Sequence, residues 1–321
     1  MLKADRVYML AADHRWQWEE FCDTHSLPRA RIHDVKRVAY DGFLLARERS
    51  AAVRDFGALL IDAQYASDVI ADALAAGLNV GTPAEKAGAI PLTWAADPFS
   101  AALTGAFVKV LARYRTDDDD AVVAEQWTKL EALQAWCRGA KKPFVLEVLV
   151  ARKHESEDEF EASGRPAMLA QFIAGAYRRE LTPEFWKIEG TLAPQGARAI
   201  DAAIAANPAC RQIILGKAAD LSTIDRWFAA CAASATASGF AIGRSVFWEP
   251  SAAFLTGKIS AGDAAAAIAG THLQLVDAWD RSRKSEIRNQ KSEIKWGILL
   301  ATSATPCARW PGSRRSPASR S

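Results

Sequence analysis

No apolar run in the 321-residue sequence is long enough for a membrane-spanning helix; the longest are strand-sized pieces such as Ile213-Ile214-Leu215. No membrane partner is expected. The opening Met1-Leu2-Lys3-Ala4-Asp5-Arg6 leads into a strand-like stretch without the long apolar core of a signal peptide, so a cytoplasmic location is expected. Cysteine is sparse: Cys22, Cys137, Cys210, Cys231 and Cys307 include no CxxC pair, and their odd number argues against a disulfide framework. They read as reduced, mostly buried thiols. His14, His25, His33, His154 and His272 show no HxH, HExxH or Cys/His spacing, so no metal site is expected. The GxSxG elbow of hydrolases, a GxGxxG after the first strand and a GxxxxGK[ST] loop are all missing. Hydrolase and nucleotide-loop readings are weakened, and no cofactor is implied.

Charge is unevenly spread. Residues 283–321 hold nine Lys or Arg against two Glu, a balance of +7, whereas residues 1–282 hold 31 basic against 36 acidic groups, or −5. A mildly acidic body gives no support to nucleic-acid binding. Half of the sequence is hydrophobic, enough for one large core. Residues 1–282 read as one domain and 283–321 as a basic, low-complexity, disordered tail, in which Lys284-Ser285-Glu286-Ile287-Arg288 is nearly repeated from Lys291.

Along the body, strand-like runs alternate with helical ones. Strands are predicted at Val7 to Ala12, Phe56 to Ile61, Leu78 to Gly81, Ala106 to Tyr114, Pro143 to Val150, Glu184 to Gly190, Arg211 to Gly216 and Gly239 to Gly243. Helices include Ala66 to Ala76, Pro166 to Tyr177, Gln195 to Ala205, Asp220 to Ala233, Ser251 to Leu255 and Ala261 to Arg281. Eight β-then-α units favour an eight-stranded (β/α)8 TIM barrel over an open doubly wound sheet. The acidic run Asp117 to Asp120 precedes a helix, where carboxylates cap free amides and meet the positive end of the dipole. The loop Arg152 to Arg165 is highly charged, and the tryptophans, such as Trp127 and Trp136, read as packing residues.

Charged residues inside strands are the candidates for chemistry. In Glu184-Phe185-Trp186-Lys187-Ile188-Glu189-Gly190, alternation sends Phe185, Lys187 and Glu189 to one face and Trp186 and Ile188 to the other. A buried lysine amine can act as a Schiff-base nucleophile; a lysine that snorkels to water is the competing reading. Lys109 on strand four, Glu147 on strand five and Lys187 on strand six could share the barrel interior near its carboxyl end, with Asp13 and Asp62 at the ends of strands one and two. Lys109 and Lys187 would each disfavour protonation of the other, Glu147 would shuttle protons, and Asp13 would be a second acid or base. A structural ion-pair cluster is the alternative, and Asp62 could simply cap a helix. Arg244 and the amides of Gly216 and Gly243 stand where late barrel loops commonly hold phosphate; Arg15 and Asp62 complete the candidate substrate-binding set.

Ala11-Ala12-Asp13-His14-Arg15-Trp16-Gln17, Leu60-Ile61-Asp62-Ala63-Gln64-Tyr65, Val108-Lys109-Val110-Leu111, Phe185-Trp186-Lys187-Ile188-Glu189 and Phe240-Ala241-Ile242-Gly243-Arg244-Ser245-Val246-Phe247 together resemble a known domain. It is the domain fused C-terminally to many bacterial 5-dehydro-2-deoxygluconokinases, and the resemblance spans residues 5 to about 281. More distantly the sequence is similar to the class I tagatose-bisphosphate and fructose-bisphosphate aldolases, which are β/α barrels with a Schiff-base lysine on strand six. The resemblance places Lys187 in that lysine's position, Glu147 as the strand-five acid, Lys109 as the strand-four lysine, Asp13 as the strand-one aspartate and Arg244 on the phosphate side. It implies a metal-independent aldolase of myo-inositol breakdown that cleaves 2-deoxy-5-keto-gluconate 6-phosphate to dihydroxyacetone phosphate and malonate semialdehyde. A non-catalytic sugar-phosphate-binding barrel and another Schiff-base enzyme, transaldolase-like or an isomerase, are the alternatives. The sugar-kinase half of the fused proteins is not in this sequence, so a separate sugar kinase is a conceivable partner, as is a second copy in a homo-oligomer. Gly216-Lys217-Ala218-Ala219 departs from the pattern, which has an apolar residue after the glycine.

Overall fold

The computed structural model describes residues 2–303, with side chains through residue 286. The chain divides into two units, Met1–Arg283 and Lys284–Ser321, and the first contains the barrel. Its strands are β1 (Val7–Ala12), β2 (Gly57–Ile61), β3 (Val80–Pro83), β4 (Phe107–Arg113), β5 (Phe144–Leu149), β6 (Phe185–Glu189), β7 (Arg211–Leu215) and β8 (Ala237–Ile242). All neighbours are parallel and β8 returns to β1, so the sheet closes in sequence order into a TIM barrel. The helices are α1 (Trp16–Thr24), α2 (Ile32–Arg49), α3 (Ala51–Phe56), α4 (Ala63–Ala75), α5 (Asp120–Ala140), α6 (Glu157–Glu159), α7 (Arg165–Arg178), α8 (Pro194–Ala205), α9 (Leu221–Ala230), α10 (Arg244–Leu255) and α11 (Ala261–Ser303). Among the described residues no helix is long and apolar enough to cross a membrane.

Period-two alternation sorts the strand residues into two cores. Val7, Met9, Ala11, Ala58, Leu60, Phe107, Val145, Phe185, Ile213 and Ala241 fill the barrel interior. Their strand neighbours, such as Tyr8, Leu10, Leu59, Val108, Leu146, Trp186 and Ile188, face the helices. Each inward row then changes character toward the carboxyl end: Phe107 is followed by Lys109, Val145 by Glu147, Phe185 by Lys187 and Ala11 by Asp13. The interior is thus oily below and charged above. Gly81 belongs to the crowded part, because a Cβ there would stand 2.1 Å from the Phe107 ring.

Local signals explain most helix starts. Asp62 accepts from the Tyr65 amide at the head of α4, Asp119 accepts from Ala121 and Val122 at the head of α5, and Asp220 accepts from Thr223 at the head of α9. The last barrel helix starts at Arg244 instead of the expected Ser251. It runs through Pro250 because Val246, Phe247, Ser251 and Leu255 are buried along one side, and that packing outweighs one missing amide. The charged loop also contains helix: Ser156 caps α6, a π turn follows at Phe160–Gly164, and α7 continues from Arg165. α11 extends past Arg281, where its end was expected, and residues 304–321 of the anticipated tail lie outside the described residues.

Candidate active site

The charged inward residues converge on a cavity of about 230 Å³ at the carboxyl end of the barrel. Register accounts for this. Glu147 of β5 is paired with Lys187 of β6, and Leu111 of β4 with Glu147, so the three side chains share the inner face of neighbouring strands. Lys187 donates to Glu147 Oε2 at 3.0 Å, and the same oxygen lies 2.7 Å from Lys109 Nζ. Lys109 also donates to Asp13 Oδ2 at 3.0 Å and to Glu85 Oε1 at 2.8 Å. The four residues predicted to carry chemistry therefore form one cluster around two lysines.

Their protonation is set by burial opposed by neighbouring charge. Burial alone would favour the neutral Asp13 carboxyl, but Lys109 and Lys187 outweigh it and hold Asp13 well below the usual carboxylate range. Glu147 is lowered in the same way, against burial and the repulsion of Asp13. Burial pulls Lys109 toward neutrality, yet Asp13, Glu147 and Glu85 together raise it well above the ordinary lysine value. The mutual depression expected between the two lysines accordingly fails for Lys109. Three carboxylates favour its cationic form, and the third of them, Glu85, was not among the residues expected to carry chemistry.

Coordination distinguishes the lysines. An ammonium has three N–H donors. Lys109 meets three carboxylates, whereas among the described residues Lys187 has a single partner, Glu147, and it lines the cavity. Lys187 is only 4 % exposed, so the snorkelling alternative does not hold.

The predicted binding residues separate into two groups. Arg244, Gly243, Gly216 and Arg15 line the cavity. Arg244 opens α10 and makes no hydrogen bond or ion pair among the described residues; burial lowers its guanidinium against the pull of Glu147. Gly243 is required by close approach, since a Cβ there would sit 2.0 Å from the Ala11 carbonyl oxygen. Arg15 donates to the Glu85 carbonyl at 2.9 Å. Asp62 does not line the cavity: it caps α4 and pairs with Lys36 at 2.6 Å, which corrects its assignment to the substrate-binding set.

Four further residues shape the site. Glu85 follows β3 and is fixed by the Leu111 amide at 3.1 Å. Lys36, fully buried on α2, donates to the carbonyls of Ala12 and His14, each at 2.6 Å, and so clamps both sides of Asp13. Arg165 anchors the end of β6 by donating to the carbonyls of Glu189 and Gly190. His14 lines the cavity, and burial, with Arg244, Lys187 and Lys36 opposing Asp13, lowers its imidazole to about 3. Lys36 was visible as a lysine on the apolar stripe of Ile32, Val35, Ala39 and Phe43; Glu85 had only its place after a strand as a signal. Among the described residues no group of His, Cys, Asp and Glu is arranged to hold a metal ion.

No curated protein sequence matches the chain. Among solved structures, a Plasmodium falciparum fructose-bisphosphate aldolase, in complex with TRAP and a small-molecule inhibitor, is similar at a TM-score of 0.61 and 12% identity, covering 88% of this chain and 91% of that one. A Schiff-base-forming fructose-1,6-bisphosphate aldolase matches at a TM-score of 0.49 and 15% identity, covering 83% and 94%. At such identities the first likeness is one of fold. The family model described as "Uncharacterized protein conserved in bacteria (DUF2090)" matches residues 2–283, the whole barrel, and the chain belongs to that family.

Proposed function

We propose that the protein is a metal-independent class I aldolase in which Lys187 forms a Schiff base with a phosphorylated keto-sugar acid. One observation supports this reading: Lys187 is buried, lines the cavity and has one partner among the described residues, while Lys109 meets three carboxylates. The Plasmodium falciparum structure that shares the fold carries the name of an aldolase, which agrees with it. After passing a proton to Glu147, Lys187 Nζ attacks the substrate ketone, and Glu147 returns the proton to the carbinolamine oxygen, which leaves as water. The resulting iminium is the electron sink. Asp13 removes the proton of the hydroxyl β to it, the carbon-carbon bond breaks to release an aldehyde, and the electron pair moves to the iminium nitrogen as an enamine. Protonation of the enamine carbon and hydrolysis release the second product and free Lys187. Lys109 balances the carboxylates throughout, and Arg244 with the amides of Gly216 and Gly243 receives the phosphate.

The substrate favoured by the sequence resemblance is 2-deoxy-5-keto-gluconate 6-phosphate, which would yield dihydroxyacetone phosphate and malonate semialdehyde in myo-inositol breakdown. A separate sugar kinase would supply the phosphorylated substrate. Borohydride reduction in the presence of dihydroxyacetone phosphate, read by mass spectrometry, tests the mechanism. The expected result is one reduced adduct on Lys187, absent in Lys187→Ala. No adduct with this or other keto-sugar phosphates would discard the Schiff base and leave a sugar-phosphate-binding barrel.

A further inference from the structure

A second cavity of about 290 Å³ lies beside the first and shares Glu85, Gly88, Leu111, Arg113 and Leu149 with it. Its own walls are largely apolar, with Ile90, Leu92, Val122 and Leu149 among them. The charged groups around it are mostly paired. Glu85 holds Lys109, Asp118 accepts from the Arg115 amide, and Asp119 accepts from two amides of α5. Arg115 is engaged by Asp117 and Glu155, and Lys153 by Asp117 and Asp118. Arg113 and Lys86, both exposed, remain, and among the described residues neither side chain has a hydrogen bond or ion pair. Of these two, Arg113 lines both cavities and Lys86 lines the second alone.

Its place in the ring gives this meaning. Arg113 ends β4, Arg244 follows β8, and these strands stand opposite each other in a closed barrel of eight, with Lys187 on β6 midway between them. A molecule bound at Lys187 has an unpaired guanidinium at each end. We infer that Arg113 binds a carboxylate at the end of the aldehyde half of the substrate, with the apolar side cavity receiving the short carbon chain. This assignment rests on the aldolase reading. A carboxylate suits the site better than a phosphate: one planar guanidinium can fork both its oxygens, while a dianion would meet Glu85, Asp118 and Asp119 with two exposed cations, Arg113 and Lys86, to offset it.

The test is aldol addition of dihydroxyacetone phosphate to 3-oxopropanoate, propanal or glyceraldehyde 3-phosphate, comparing kcat/KM within each variant. The intact protein should favour 3-oxopropanoate over propanal by about 10- to 100-fold, the range of a charge-assisted hydrogen bond. Arg113→Met should collapse that ratio to a few-fold, and Arg113→Lys should restore part of it. The ratio is independent of how much variant folds. An undiminished ratio in Arg113→Met, or a preference for glyceraldehyde 3-phosphate in the intact protein, overturns the carboxylate site. If the intact protein forms no borohydride adduct, the aldolase reading falls and this assignment with it; an adduct with an unchanged ratio removes this assignment alone.

Discussion

Lys36 and Lys187 are buried toward the same end of the barrel and are held in opposite ways. Lys36 is fully buried on α2, where it donates to the carbonyls of Ala12 and His14 and forms an ion pair with the Asp62 carboxylate at 2.6 Å. Among the described residues Lys187 pairs with Glu147 alone, and it lines a cavity. Burial by itself therefore does not mark a reactive lysine. A saturated ammonium fixes its surroundings, whereas one with donors to spare and room beside it can exchange its proton for a bond to carbon. Lys109 resembles Lys36 in having three oxygen partners, here three carboxylates.

Exchanging each lysine for methionine gives the sharpest contrast. Lys187→Met is expected to lower aldol cleavage by about 10⁴-fold or more, with little change in urea denaturation, since Glu147 keeps Lys109 as its partner. A large loss of stability with activity retained would reverse the comparison. Lys36→Met leaves Asp62 charged and buried without its cation, at a cost of about 3–5 kcal/mol in the urea midpoint analysis. Adding Asp62→Asn should return part of that loss, because the uncompensated charge goes with it.

Much of this contrast was legible. Alternation around Lys187 put it on the inner face with Phe185, and its one-to-one register with Glu147 followed once β5 and β6 were neighbours. Asp62 was visible as a cap, yet its ion pair was not, because Lys36 lies 26 residues earlier on another element. Glu85 escaped notice for a different reason. It follows a strand of four residues, Val80–Pro83, too short to show a clear period, and the pairing of Pro83 with Lys109 across β3 and β4 brings it to Lys109. Without that third carboxylate, Lys109 looked like a neighbour that would share its charge with Lys187. Local periodicity reports which face a residue takes; the number of partners waiting there depends on strands far away in sequence.

His272 extends the comparison to a buried titratable group with no partner. It is fully buried between Phe43 and Phe240, and neither ring nitrogen has a hydrogen bond among the described residues. Burial lowers its pKa from 6.5 to about 4. Between those values the unfolded chain binds a proton that the folded chain refuses, so stability present above pH 6.5 is lost as pH falls toward 4. The full loss is about 3 kcal/mol. Urea denaturation across this window should show His272→Leu with a shallower pH slope than the intact chain; equal slopes would mean that the imidazole finds a partner on protonation.

Lys217 should show the smallest effect, and it separates burial from pairing. It donates to Glu189 Oε1 at 2.8 Å, a distance like those at Lys109, but its side chain is 50% exposed. Water already solvates much of the ammonium, so the pair gains little by forming. Its carboxylate partner is buried, yet Glu189 keeps the Arg165 guanidinium at 3.9 Å when Lys217 is removed. Lys217→Met should therefore shift stability by less than about 1 kcal/mol, and added salt should shrink the difference further. A loss near that of Lys36→Met would show that a short contact to a buried carboxylate suffices whatever the lysine's own exposure, and the distinction between sealed and open lysines would have to rest on their partners alone.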